Sequence, residues 1–251
     1  MKNLTLYMSD RSQAVSALAQ QDYLWDAEIV LRSFYECAAR VWFLGFQPAA
    51  EREKLAKEFL TELDYSHNRK AAQKAAYANS LSRIHKNADE SRIFDALQNE
   101  KIFIFGEYNR KERKEIESRW SFYSILDSLG RSNELCIVEL KSLLHMYGMM
   151  SHLIHADQKA IDLVVDEIAR PADERRLLRA VHFRRIMSDL ISIWTFAYAS
   201  FRYALGRSPN IPDVIKDNWE NATTLGEPLS VAFHDSQKSF YDRVLRSEDE
   251  G

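Results

Sequence analysis

The stretch ELCIVELKSLLHMYGMMSHLIHAD, residues 134–157, decides the reading of this chain. Its apolar residues recur at helical rather than strand spacing. Tyr147, Ser151 and His155 stand at i, i+4 and i+8 within it. Residues four apart share one face of a helix, so a phenol, a hydroxyl and an imidazole line up along a mostly apolar segment. Such a line is either the wall of a site or a buried polar seam.

The pattern extends outward in both directions. Only 7 Gly and 5 Pro occur in 251 residues, and so few breakers among many Ala, Leu, Arg, Glu and Lys predict long helices. The expected fold is all-α, a multi-helix bundle with a C-terminal helical extension. Ser9 or Asp10 is read as the cap of a first helix ending near residue 20. A long helix follows over 24–46, stopped by Gly45 and Pro48, and Pro48 opens the next. Residues 68–86 form an Ala-rich helix. Asp89 caps SRIFDALQNEKIFIF, whose end is the one place for a short strand. A helix over 107–129 precedes a break at 130–133. Asp173 caps a helix to about 205, and loops at 206–213 and 221–226 precede a last helix from about 230 to 246. Residues 1–169 are then one bundle, and 170–251 a helical region packed on it.

Composition excludes several classes. The formal charge of -3 and a pI near 6.2 give no global drive toward nucleic acid or anionic membrane. No apolar run approaches the roughly 18 residues of a membrane span, and the N-terminus lacks the apolar core of a secretion signal. Cys37 and Cys136 sit in apolar helical patterns without a Cys-x-x-Cys neighbour. They read as buried free thiols in a reducing, cytoplasmic compartment.

The helix over 24–46 carries a second polar line, Glu28, Arg32, Glu36 and Arg40, each four residues apart. A charged ladder on so apolar a helix is a surface ion-pair ladder, a buried structural network or a ligand site. Buried charges persist only when paired, so Arg32 and Glu36 are expected to face the Tyr147–Ser151–His155 line. His155, near Asp157 and with Glu36 as its carboxylate, is a candidate acid or base. Ser151 with His155 has nucleophile–base spacing, but no Gly-x-Ser-x-Gly elbow accompanies it. His145, His152 and His155 cluster without a His-Glu-x-x-His or paired Glu-x-x-His pattern, so no metal or cofactor is expected.

Residues 174–185, ERRLLRAVHFRR, put Arg175, Arg179 and His182 on one face. They read as a solvated arginine face, or as an RNA or phosphate contact through Arg175, Arg176 and Arg179. Arg176 and His182 also meet the R-x4-6-H pattern of HEPN ribonucleases, with Leu177 where that pattern has a polar residue. The aromatics Trp194, Phe196, Tyr198, Phe201 and Tyr203 suit a core, a dimer seam or an interaction surface.

The segment LRSFYECAARVWFL, with Arg32 and Glu36, resembles the R-x3-E helix of the helical family DUF5677. RWSFYSILDSLG followed by YGMMSHLIHAD resembles that family's Y-x3-S-x3-H helix, matched by Tyr147, Ser151 and His155. The resemblance covers about residues 24–161. It implies a helical bundle in which the two signatures meet, and it brings no activity with it. The general plan is similar to HEPN-type bundles of prokaryotic defence systems. The expected function is therefore a binding or effector module in prokaryotic stress or phage defence, homodimeric or with a protein partner. One alternative is a metal-independent ribonuclease, with His155 as acid/base, Arg32 stabilising phosphate charge, and Tyr147 and Ser151 positioning it. The other is a helical scaffold without catalysis.

Overall fold

The computed structural model describes residues 1–84, 92, 95, 109–131, 142–208 and 212–249. Among these, every regular element is a helix, and the all-α expectation holds. The elements are α1 (Lys2–Gln20), α2 (Leu24–Gly45), α3 (Ala49–Lys57), a π-helical stretch (Glu58–Leu63), α4 (Asp64–Ile84), α5 (Arg110–Arg119), α6 (Phe122–Arg131), α7 (Ser142–His155), α8 (Gln158–Ala169), α9 (Ala172–Ala204) and α10 (Asp213–Asp249). They form two compact units, residues 1–46 with 129–251 and residues 47–128.

In the larger unit α2 is the central helix, with α1, α7 and α9 packed on it. It is apolar almost all round, and the bundle buries it almost all round. Leu24, Leu31, Phe34, Tyr35, Val41, Trp42 and Leu44 are nearly inaccessible, and so is the charged Glu28. α1 begins at Lys2, so Ser9 and Asp10 lie inside it rather than capping it. Packing accounts for the extra turns: Met8 is fully buried, and the Cys37 thiol donates to the Leu4 carbonyl at 3.3 Å. Burial raises the Cys37 pKa to about 11, keeping it an inert thiol. Cys136 lies outside the described residues, as do Asp89 and the first part of the 134–157 stretch.

α2 and α9 run parallel in constant register. Glu28 meets His182 and Tyr35 meets Asp189, both across 154 positions of sequence. Trp42 meets Phe196 one further heptad along, with ring centroids 6.0 Å apart. Phe34–Trp194 and Phe46–Tyr203 add ring contacts on the same seam. The aromatic run of α9 is therefore largely spent on α2. A seven-residue recurrence is what two parallel helices need to keep one face in contact.

The seam closes tightest at Gly45. A Cβ there would stand 2.7 Å from both the Cβ and Oγ of Ser200. Gly45→Ala gains up to about 1 kcal/mol of helix propensity, but forcing α2 from α9 costs typically about 1–3 kcal/mol. A net loss of stability is expected in chemical denaturation, with partial recovery in Gly45→Ala/Ser200→Gly. Equal stability of wild type and Gly45→Ala would show that the seam yields.

The smaller unit is built around another buried carboxylate. The π-helical stretch carries Glu58 inward, where it accepts from Trp120 Nε1 at 2.8 Å and pairs with Arg119. Phe59 packs on the Trp120 ring at 4.9 Å. The helix expected over 107–129 is two helices. Asn109 opens α5 with a full capping box through Glu112, and Ser121 Oγ accepts from the Ser124 N–H to open α6. α6 continues through Gly130 to Arg131, into the expected break.

Two C-terminal boundaries also differ. Pro171, not Asp173, is the N-cap of α9, and Asp173 lies in its first turn beside Arg176. The loop expected at 221–226 is inside α10, which also contains Pro228. Gly226 faces Arg184 of α9 closely enough that a Cβ would collide with its side chain. Packing on α9 overrides the local breaker signal.

Candidate functional site

The R-x3-E and Y-x3-S-x3-H signatures meet, through three of their five residues. Arg32 Nη2 donates to the Tyr147 hydroxyl at 3.0 Å, and that hydroxyl donates to Glu36 Oε1 at 2.7 Å. Arg32 Nε reaches the same Glu36 oxygen at 3.3 Å. The guanidinium also lies 4.5 Å from the centroid of the Tyr147 ring, within cation–π range. Burial, then the hydrogen bond to Glu36, raise the Tyr147 pKa, so the phenol stays protonated and donating. This triad clamps α7 to α2 and uses Glu36, the carboxylate expected for His155.

Ser151 and His155 lie further along α7. Ser151 is half-buried and His155 exposed. Among the described residues neither side chain makes a hydrogen bond or ion pair. Asp157 does not serve His155. Its Oδ2 pairs with His152 Nδ1 at 2.5 Å while its Oδ1 accepts from the Ala160 N–H as N-cap of α8. The hydrogen bond from His152 holds the Asp157 carboxyl below its usual pKa. Ala156, at φ 46°, makes the left-handed turn that brings Asp157 back under His152.

A larger buried network adjoins the clamp. Glu28, 3% exposed, accepts from His182 Nε2 at 2.6 Å and pairs with Arg185. Arg185 Nη1 donates to Asp189 Oδ2 at 2.7 Å, and that oxygen accepts from the Tyr35 hydroxyl at 2.7 Å. The edge of Trp25 packs on the His182 ring with centroids 4.7 Å apart, and Trp25 Nε1 donates to buried Glu167 at 2.8 Å. Burial pushes the His182 imidazole down to about 4. Glu167 favours the imidazolium and Arg179 opposes it, and desolvation of the cation prevails. Burial likewise raises the Asp189 pKa and lowers that of Arg185.

This network corrects, for His182 and Arg185, the reading of residues 174–185 as a solvated arginine face, while Arg176 is exposed as expected. His182 and Arg185 point into the α2–α9 seam. Arg179 is engaged by the Asp22 carboxylate at 2.9 Å and by Glu167, and Arg176 by Asp173. Of the three arginines expected to contact phosphate, Arg179 is thus neutralised within the fold, and Arg176 pairs with Asp173 at an exposed position. Arg176 is exposed, whereas His182 is buried against α2. Spacing did hold the signal: Glu28 opens the α2 ladder, and His182, Arg185 and Asp189 stand at i, i+3 and i+7, one helix face. Among the described residues no group of His, Cys, Asp and Glu could hold a metal. None of the helices is long and apolar enough to cross a membrane among those residues.

No curated protein and no solved structure matches this chain. A family model described as a family of unknown function, DUF5677, matches residues 3–169. That span runs from α1 through α8 and holds the whole Arg32–Glu36–Tyr147 clamp, wider at both ends than the motifs alone indicate. With two thirds of its length matched and both signatures joined in one cluster, the chain belongs to the DUF5677 family.

Proposed function

We propose that this chain is a binding module whose recognition edge is the Tyr147–Ser151–His155 face of α7, and that its ligand carries an anionic oxygen. One observation supports the reading most. The clamp consumes Arg32, Glu36 and Tyr147, while Ser151 and His155 keep their hydrogen-bonding capacity beside it. A nucleophile–base pair calls for a hydrogen bond between the two and a third group orienting the base. Neither is present among the described residues. Arg32 Nη1 is buried without a hydrogen-bond partner among those residues. An unsatisfied buried donor costs about 1–3 kcal/mol, which a ligand phosphate or carboxylate oxygen would offset. An effector role in prokaryotic stress or phage defence belongs to the same proposal and rests on the likeness in plan to HEPN-type bundles.

Thermal shift with ribonucleoside mono-, di- and triphosphates and a short RNA, run alongside cleavage of total RNA in EDTA, tests the reading. At least one phosphate ligand is expected to raise the melting temperature, by the equivalent of about 2.7 kcal/mol at one hundred times Kd. Ser151→Ala and His155→Ala should abolish that rise without changing the melting temperature of the free protein, because neither side chain supports the fold. RNA should stay intact. Cleavage in EDTA that disappears in His155→Ala establishes the metal-independent ribonuclease instead. No shift at millimolar ligand rejects this ligand class.

A further inference from the structure

A cavity lies away from the clamp, between the end of α1, the middle of α9 and α10. It holds about 900 Å³, within the range of small-molecule sites. Its walls are mostly apolar. Phe183 and Ile191 of α9 and Leu225 and Leu229 of α10 all contribute, and all four are exposed to solvent. Large apolar side chains gathered around one concavity mark a binding surface more than scattered surface residues do.

The charge in this groove is uneven. Arg176 and Arg179 line it, but each is held by a carboxylate. Arg184 differs. Its guanidinium donates to Ser230 Oγ and, at 3.4 Å, to the Thr223 carbonyl, both uncharged oxygens. Among the described residues no carboxylate lies within ion-pair distance of it. Gly226 makes room for it, since a Cβ there would fall on the Arg184 side chain. A half-buried guanidinium without a counter-charge, beside a long apolar wall, matches an ion with a hydrocarbon tail.

We infer that this groove binds a single-chain anionic amphiphile, its carboxylate on Arg184 and its chain along Phe183, Ile191, Leu225 and Leu229. The site is independent of the α7 edge. Charge complementarity selects this occupant over a neutral apolar one, and the open side of the groove admits the polar head.

Isothermal titration of the full chain with octanoate, octanol and octyltrimethylammonium, each below its micellar concentration, tests this. Octanoate should bind, octanol more weakly, and the cation not at all. Arg184→Gln should weaken octanoate by about tenfold or more, the loss expected for one charge-assisted contact, and bring it level with octanol. Gly226→Ala displaces the guanidinium, and Leu225→Asp places a like charge on the wall. Both should weaken octanoate in the same sense, and Leu225 is exposed enough for its variant to fold. The inference fails if the three probes bind alike or if Arg184→Gln leaves octanoate affinity unchanged. It also fails if the wild type is a dimer that Leu225→Asp makes monomeric, because the groove is then covered by a second copy of the chain.

Discussion

Arg185→Met is expected to lower the stability of the α1–α2–α9 unit by about 3–5 kcal/mol, the cost of leaving a buried charge without its partner. The side chain of Glu28 is 3% exposed and that of Asp189 16%. Both rely on the same guanidinium, so one substitution strands two carboxylates in a low-dielectric seam. Trp25, Tyr35 and the aromatic contacts below them leave little room for water to replace the lost charge. The measurement is urea denaturation followed by near-ultraviolet circular dichroism, with a lower midpoint and an unchanged slope. The variant Glu28→Leu/His182→Leu/Arg185→Met separates stability from specificity. Buried ion networks replaced together by apolar residues are often neutral or stabilising, so this triple variant should recover the part of the loss due to Glu28, with Asp189 left on the Tyr35 hydroxyl alone. A single variant losing less than about 1 kcal/mol would mean that the network behaves as a solvated surface pair.

The network's position gives it a second role. Glu28–His182 and Tyr35–Asp189 occupy successive heptads of a parallel helix pair whose neighbouring contacts are aromatic. Aromatic and aliphatic contacts tolerate a slip of one turn far better than hydrogen-bonded charges do, and buried polar residues at a seam fix register for that reason. Glu28 and Tyr35 lie inside the family's span, whereas His182, Arg185 and Asp189 lie beyond residue 169, where it ends. In this chain the family region and the C-terminal helix are thus locked together by charge as well as by packing. Where the lock sits also matters for the clamp, because Glu28 and Arg32 are one turn apart on α2. A shift of α2 against α9 moves Arg32 against Tyr147.

Much of this was legible in the residues. That the charged ladder of α2 needs partners was legible, because the helix around it is apolar; how deep it would lie was open, and Glu28 is buried while Arg32, Glu36 and Arg40 are half-buried. The meeting of Arg32 and Glu36 with Tyr147 followed from two helical lines that each needed partners. Allocation within the site was not legible. His155 and His152 are three residues apart, and which one receives Asp157 depends on the left-handed turn at Ala156, a property of backbone geometry rather than of spacing. Residues 174–185 misled for a related reason. Arginine has the same residue-level signature on a solvated face as in a buried network, and the distinction lies in Glu28 and Asp22, more than 150 positions away. The loop expected at 221–226 became helix because Gly226 admits Arg184, a long-range contact that no local pattern contains.

Acid should weaken the same unit through His182. Its ordinary pKa of 6.5 applies in the unfolded chain and falls to about 4 in the fold. Between those values the unfolded chain binds the proton and the native state does not, so stability rises with pH there. The contribution is complete above about pH 6.5 and is lost as pH falls toward 4. That difference corresponds to about 3 kcal/mol at the acid end. Asp189 runs the other way, because burial raises its pKa. Protonating it relieves a buried charge, so it offsets part of the loss at the lower end of the same window. The net expectation is a midpoint that falls between pH 6.5 and 4.5. His182→Gln keeps an N–H donor for Glu28 but cannot titrate, and should flatten that limb. Arg185→Met should behave differently again. With its guanidinium gone, Glu28 favours the His182 imidazolium, so the penalty of this variant should be smaller at pH 5 than at pH 8. Parallel stability–pH curves for wild type and His182→Gln would place the acid sensitivity elsewhere and remove His182 from the titrating part of the seam.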